Sequence, residues 1–306
     1  MKKNVPMKCS YLSNKNGGFI LIPVIALLLV MVVVTFYFGG FINKKYVVAK
    51  KFQNDVKRKI KVHNVIEGLS AVLFSTGYKV KYNDARLQNI FFLGDVDYIA
   101  EDESGKINVN MLFNESNNEN EEVVKQVKVL LRSQQLHEWL IDPILDWIDQ
   151  DQTSRLHGAE DEYYTSLQYP YKARNGFLQD ISELKLIRGL EKNNLNRFFT
   201  VFSNGKININ TASKEVLFAL SDMLNQELVE AIIMYREKTP FMTNSHLLRV
   251  KGMTKEVYRA LIDKITVTSG VIKVSVTIPT VSPKKTVECF LQIRQDSVKI
   301  LAWHEL

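Results

Sequence analysis

Residues 19–42 carry no charged side chain. As a helix, about 24 residues rise roughly 36 Å, enough to cross a hydrocarbon layer ~30 Å thick. An ordinary secretory signal has an apolar core of about 7–15 residues followed by a small-x-small cleavage site. The run here is longer, so it is expected to remain as a membrane anchor. Lys2, Lys3, Lys8 and Lys15 precede it with no acid among them. The positive-inside rule therefore puts the N-terminus in the cytoplasm and the remainder outside.

Charge follows the same division. The 306-residue chain has a formal charge of +7, which alone would suggest an anionic partner. The excess sits around the apolar run, before residue 19 and again in the lysine-rich stretch 44–61, which leaves residues 62–306 mildly acidic. Attraction of that part to phosphate is not expected. Cys9 and Cys289 lie on opposite sides of the apolar run, so no internal disulfide is expected and the outer part must be held by its core or by a bound ion.

The residues Lys15, Asn16, Gly17, Gly18 and Phe19 form a short basic leader ending in glycine, with phenylalanine opening the apolar run. This resembles a prepilin peptidase site. The resemblance implies cleavage between Gly18 and Phe19 on the cytoplasmic side, with the spanning helix left attached. Pilins and major pseudopilins carry glutamate at the fifth mature position, where this chain has Pro23. A carboxylate in the bilayer costs about 2.5–3.5 kcal/mol on insertion scales unless a neighbour offsets it, so a subunit without it forgoes one pairing. Proline near a helix start is also sterically ordinary.

Beyond the membrane, Val48, Phe52, Val56 and Ile60, then Ile66, Leu69 and Leu73, keep helical spacing and predict that the spanning helix continues as an amphipathic stem, stopped near Gly77. Residues 96–100 and 106–110 alternate about a glycine-containing turn and are expected to form a hairpin. Residues 121–149 are helical in spacing, and an α-rich region is expected to about residue 265. Residues 271–278 and 287–303 alternate again, with a loop over 279–285. Sheet on both sides of a helical block predicts an α+β, pilin-like fold: a long N-terminal helix and an antiparallel sheet with an inserted all-α domain. The expected divisions are a leader 1–18, a transmembrane helix 19–42, stem and first strands 43–110, the inserted domain 111–268, and C-terminal strands 269–306.

One internal echo stands out: Gly105-Lys106-Ile107-Asn108-Val109-Asn110 and Gly205-Lys206-Ile207-Asn208-Ile209-Asn210. Each is expected to be a glycine turn, a short strand and a helix cap supplied by the asparagine or by Thr211. Between them lie Asp146-Trp147-Ile148-Asp149-Gln150-Asp151, Gly158-Ala159-Glu160-Asp161-Glu162-Tyr163-Tyr164, Pro170-Tyr171, Asn175-Gly176, Ile181-Ser182-Glu183-Leu184 and Arg188-Gly189. This series is similar to the type II secretion minor pseudopilin K (GspK) family over roughly residues 17–270. The resemblance implies a non-enzymatic, inner-membrane subunit at the tip of a periplasmic filament, with minor pseudopilins I and J and the major pseudopilin as partners. It also implies calcium as a structural ion. Calcium takes six to eight hard oxygen ligands, and Asp149, Asp151, Glu160 and Asp161 are the expected ones. The plainer alternative is a helix end with a solvated acidic loop. Tyr163, Tyr164, Tyr169 and Tyr171 are expected mainly to pack beneath their loop.

Three other readings compete. A type IV pilus minor pilin shares the leader and stem but not the inserted block. Residues 207–266 resemble helix-hairpin-helix modules of DNA-uptake proteins, yet residues 220–224 contain no glycine and the second turn keeps only Gly252, so nucleic acid is not expected. Acid–base catalysis by the carboxylates lacks support, since the histidines have no metal-protease spacing and no nucleophile elbow or phosphate loop occurs.

Overall fold

The computed structural model describes residues 21–75, 97–114, 116–278, 285–294 and 297–305, with the side chains of 72–75, 278 and 285 left undescribed. The expected cleavage site at Gly18 and Phe19, Cys9, the helix stop at Gly77, the side chain of Leu73 and the loop 279–284 lie outside the described residues. The chain forms two compact units, residues 1–60 and 61–306.

Within the first unit runs most of helix α1 (Leu21–Ser75), which is long and apolar enough to cross a membrane. Its uncharged part is exposed throughout, as are Val48, Phe52, Val56 and Ile60. Pro23 lies within α1.

The second unit begins with the last part of α1. Val62, Val65, Ile66 and Leu69 recur at i, i+3, i+4 and i+7, and all are buried. They pack on Ile272, Val274, Val276, Val287, Cys289 and Leu291, the alternate residues of two strands. Those strands belong to a four-stranded antiparallel sheet ordered β1 (Asp97–Asp102), β6 (Val271–Ile278), β7 (Lys285–Ile293), β8 (Val298–Glu305). Phe290 points to the opposite face, where its ring lies 4.4 Å from that of Phe202. One side of the sheet thus takes the helix and the other the intervening block.

Strand β1 pairs with β6, Asp97 opposite Thr277 through Asp102 opposite Ile272, so strands before and after the helical block close one sheet. The hairpin expected between residues 96–100 and 106–110 does not form. Asp102 instead accepts from the Ser104 amide and turns the chain through a short 3-10 helix, and β2 (Ile107–Asn108) pairs in parallel with β3 (Phe199–Thr200). Residues 287–303 likewise divide between β7 and β8, whose junction is closed by the Arg294 amide donating to Ser297 O. The helical stretch 121–149 breaks into α2 (Glu121–Ser133) and α3 (Ile141–Ile148).

The two glycine-lysine-isoleucine-asparagine segments open two copies of one arrangement. β4 (Ile207–Asn208) pairs in parallel with β5 (Ile265–Thr266) as β2 does with β3. Asn110 donates to Leu178 O at 2.9 Å and accepts from Leu178 N at 2.8 Å; Asn210 makes the same pair of bonds with Phe241, both at 2.9 Å. Each clamp precedes a 3-10 helix, Ile181–Leu186 or Asn244–Arg249, and then a glycine at positive φ, Gly189 or Gly252. Neither Asn110 nor Asn210 caps a helix as expected. Asn108 caps the 3-10 helix Val109–Leu112, Ser213 caps α5 (Lys214–Ala219), and Thr211 donates to Asp102. The second copy continues through α6 (Gln226–Lys238) and α7 (Lys255–Leu261) to β5. Both copies share one apolar core, from Ile107 to Val267.

Candidate metal centre

Helix α3 carries Asp146 and Trp147 in its last turn and ends with Asp149 as its C-cap, whose amide donates to Leu145 O at 2.9 Å. Asp146 and Asp149, three residues apart, face the same way, toward the loop 150–160. That loop returns against the helix: the Arg155 amide donates to Asp146 Oδ2 at 3.1 Å, and Ser154 Oγ lies 3.4 Å from the same atom. Gly158 permits the approach, because a β-carbon there would lie 1.7 Å from Asp146 Oδ2. Glu160 then enters as the residue before helix α4 (Asp161–Thr165).

The result is a buried triad, Asp146, Asp149 and Glu160, each with a carboxylate oxygen within 4.8 Å of the others. Two oxygens bound to one calcium ion at roughly 2.4 Å cannot lie more than about 4.8 Å apart, a condition that all three carboxylates meet. The hydrogen bonding satisfies these carboxylates only in part. Asp149 Oδ1 and both oxygens of Glu160 are buried without a partner among the described residues, an expensive state for carboxylates. Burial, then the charges of Asp146 and Asp149, push the Glu160 carboxyl up to about 7, and burial raises that of Asp149. A hard divalent cation is the group that would reverse these penalties.

Of the expected ligands, Asp149 and Glu160 meet in the triad. Asp151 is exposed and accepts from the Thr153 amide at 2.7 Å. Asp161 accepts from the Ala173 amide at 2.9 Å and pairs with Lys172 at 3.2 Å. Asp146 joins Asp149 and Glu160 although it is not among the expected ligands; its spacing from Asp149 on one helix face and a glycine in the following loop are the signals it left in the sequence. Below the site Trp147, Tyr164 and Tyr171 make ring contacts at 5.1–6.3 Å. Tyr164 is fully buried and Tyr163 packs against the core, whereas Tyr169 is exposed.

Residues 105–201, which contain this site, match the family described as type II secretion system (T2SS), protein K, and residues 203–266 match a helix-hairpin-helix motif. The chain is 29% identical to the type II secretion system protein K of Pseudomonas aeruginosa over 181 residues, 55% of this chain and 54% of that protein. A shorter stretch of 46 residues is 46% identical to protein K of Klebsiella pneumoniae, covering 15% of this chain and 14% of that protein. The chain thus aligns with about half the length of the first relative. A chain in the crystal structure of the GspK–GspI–GspJ complex of enterotoxigenic Escherichia coli shares the fold, with a TM-score of 0.61 at 16% identity over 84% of this chain and 99% of that one. The chain is thus similar to type II secretion system protein K over residues 105–201, which lie in a helical block that one sheet closes around and that follows a helix long and apolar enough to cross a membrane.

Proposed function

We propose that this chain is a minor pseudopilin of the type II secretion system, seated at the tip of the periplasmic pseudopilus with minor pseudopilins I and J and above the major pseudopilin. The observation that carries the proposal is the insertion of the protein K domain between β1 and β6 of a sheet that packs on α1. An added block of that size suits a terminal subunit, because it obstructs addition of a further subunit above it. Pro23 supports the same place, since the pairing made by a glutamate at that position is lost.

The prepilin peptidase removes residues 1–18, leaving Phe19 at the N-terminus. Helix α1 crosses the inner membrane once, with its start in the cytoplasm and the sheet and helical block in the periplasm. The chain acts by assembly and not as an enzyme. Its helix-hairpin-helix part serves packing and not nucleic acid: Leu220 and Leu224, in the turn where such modules expose glycine amides, are buried. Calcium, held by Asp146, Asp149 and Glu160, is a structural ion that fastens the loop 150–160 to α3, a reading supported by the unpartnered oxygens there.

Deletion of the gene, followed by assay of type II substrates in the medium, tests the function. Loss of export restored by the wild-type gene is expected; normal export with loss of a surface pilus instead would overturn it.

A further inference from the structure

The acidic triad already holds a positive charge supplied by the chain. Arg155 Nη1 lies 2.5 Å from Asp146 Oδ1 and 2.5 Å from Asp149 Oδ2, and Nη2 donates to Glu119 Oε1 at 2.6 Å. We propose that Arg155 is a built-in counter-ion of the cation site: it neutralises Asp146 and Asp149 in the metal-free protein and is displaced when calcium binds, so that guanidinium and ion exclude one another. The inference rests on the calcium reading given above.

Three features carry it. The guanidinium contacts two of the three carboxylates whose oxygens one ion would bridge, so it holds the positions from which they would coordinate. An ion bound by those carboxylates would lie within a few ångströms of Nη1 in buried surroundings, where like charges repel strongly. Arg155 also answers only part of the need. Three carboxylates meet one positive charge, and both oxygens of Glu160 remain unpartnered. A divalent ion with six to eight coordination positions satisfies what the guanidinium leaves.

The displaced side chain has a destination. Glu119 is partly exposed and already accepts Nη2, so Nη1 can leave the triad and join Nη2 on the same carboxylate, a bidentate pair open only to the displaced side chain. The Arg155 amide can stay on Asp146 Oδ2, which holds the loop while its side chain moves. Arg155 therefore sets the affinity of the site as a competitor and does not supply a ligand.

The test is calcium titration by calorimetry of the full-length protein in detergent, at fixed ionic strength after chelation, for the wild type and the variants Arg155→Gln, Glu119→Gln and Glu160→Gln. Arg155→Gln is expected to bind calcium about 10-fold more tightly than wild type, the worth of one charge-assisted hydrogen bond. Glu119→Gln, which removes the alternative seat, is expected to bind more weakly, and Glu160→Gln to lose binding. Equal or weaker binding by Arg155→Gln, with Glu160→Gln still abolishing it, would overturn the competition and leave the calcium site standing. If Arg155→Gln does not fold, unchanged or tighter binding by Glu119→Gln overturns the proposal. No Glu160-dependent binding by wild type or Arg155→Gln would overturn the calcium reading and this inference with it.

Discussion

Gly158 sits so close to Asp146 that a β-carbon would lie 1.7 Å from Oδ2 and 2.6 Å from Cγ of the carboxylate. The contact seats the loop 150–160 on α3, and it makes the glycine a requirement of space.

Gly158→Ala is therefore expected to push the loop away from the helix. Overpacking of this kind costs about 1–3 kcal/mol. Thermal unfolding should fall accordingly, and the rise in midpoint that calcium is expected to give the wild type should be lost. An unchanged midpoint with intact calcium response would contradict the packing described.

The carboxyl of Glu160 predicts a pH dependence. Burial and the neighbouring carboxylates push it up to about 7 from an ordinary value of 4.5, so the folded state holds the proton more tightly than the unfolded one. In the metal-free protein this group's contribution is fully present below about 4.5 and is lost as pH rises through 7, a change on the order of 3 kcal/mol. Urea denaturation in chelator across this range should show that loss in the wild type and its absence in Glu160→Gln. Calcium, which requires the ionised carboxylate, should bind progressively more weakly as pH falls below 7.

The asparagine clamps predict a matched pair of mutants. Asn210 is buried and satisfies both the amide and the carbonyl of Phe241, so Asn210→Ala leaves two backbone groups unpaired. A loss of about 2 kcal/mol or more is expected by chemical denaturation. Asn110→Ala, with the same bonds to Leu178, should cost a similar amount. A loss well under 0.5 kcal/mol at both sites would show the clamps to be ornamental.

Processing is checked by intact mass. Co-expression with a prepilin peptidase is expected to yield a chain beginning at Phe19. Gly18→Ala should block this, and a full-length product from the wild-type gene in the presence of active peptidase would contradict the leader assignment.

The long helix, the α-rich block and the strands beyond it were legible because each depends on local periodicity. Of the stem residues read from spacing, Ile66 and Leu69 are buried while Val48, Phe52, Val56 and Ile60 are exposed, and Val62 and Val65, which complete the buried face, are not among them. Partner choice did not show. Residues 97–102 look ready to pair with the next alternating segment, yet β6, about 170 residues later, offers a longer antiparallel match and fills the sheet over α1. The repeated asparagine segments were visible as text, but their bonds to Leu178 and Phe241 depend on tertiary return of the chain. At the acidic site the residue types pointed to a hard cation. The choice among carboxylates required the loop path, since Asp161 turns to Ala173 and Lys172 while Asp146 turns inward. Arg155 carried no signal, because an arginine in an acidic loop ordinarily reads as a solvated charge.

The place at the pseudopilus tip is open to direct test. The most direct measurement is co-expression of this chain from residue 44 onward with the soluble domains of minor pseudopilins I and J, followed by gel filtration with light scattering. One stable complex containing one copy of each is expected. Elution of this chain alone while I and J pair with one another would contradict it.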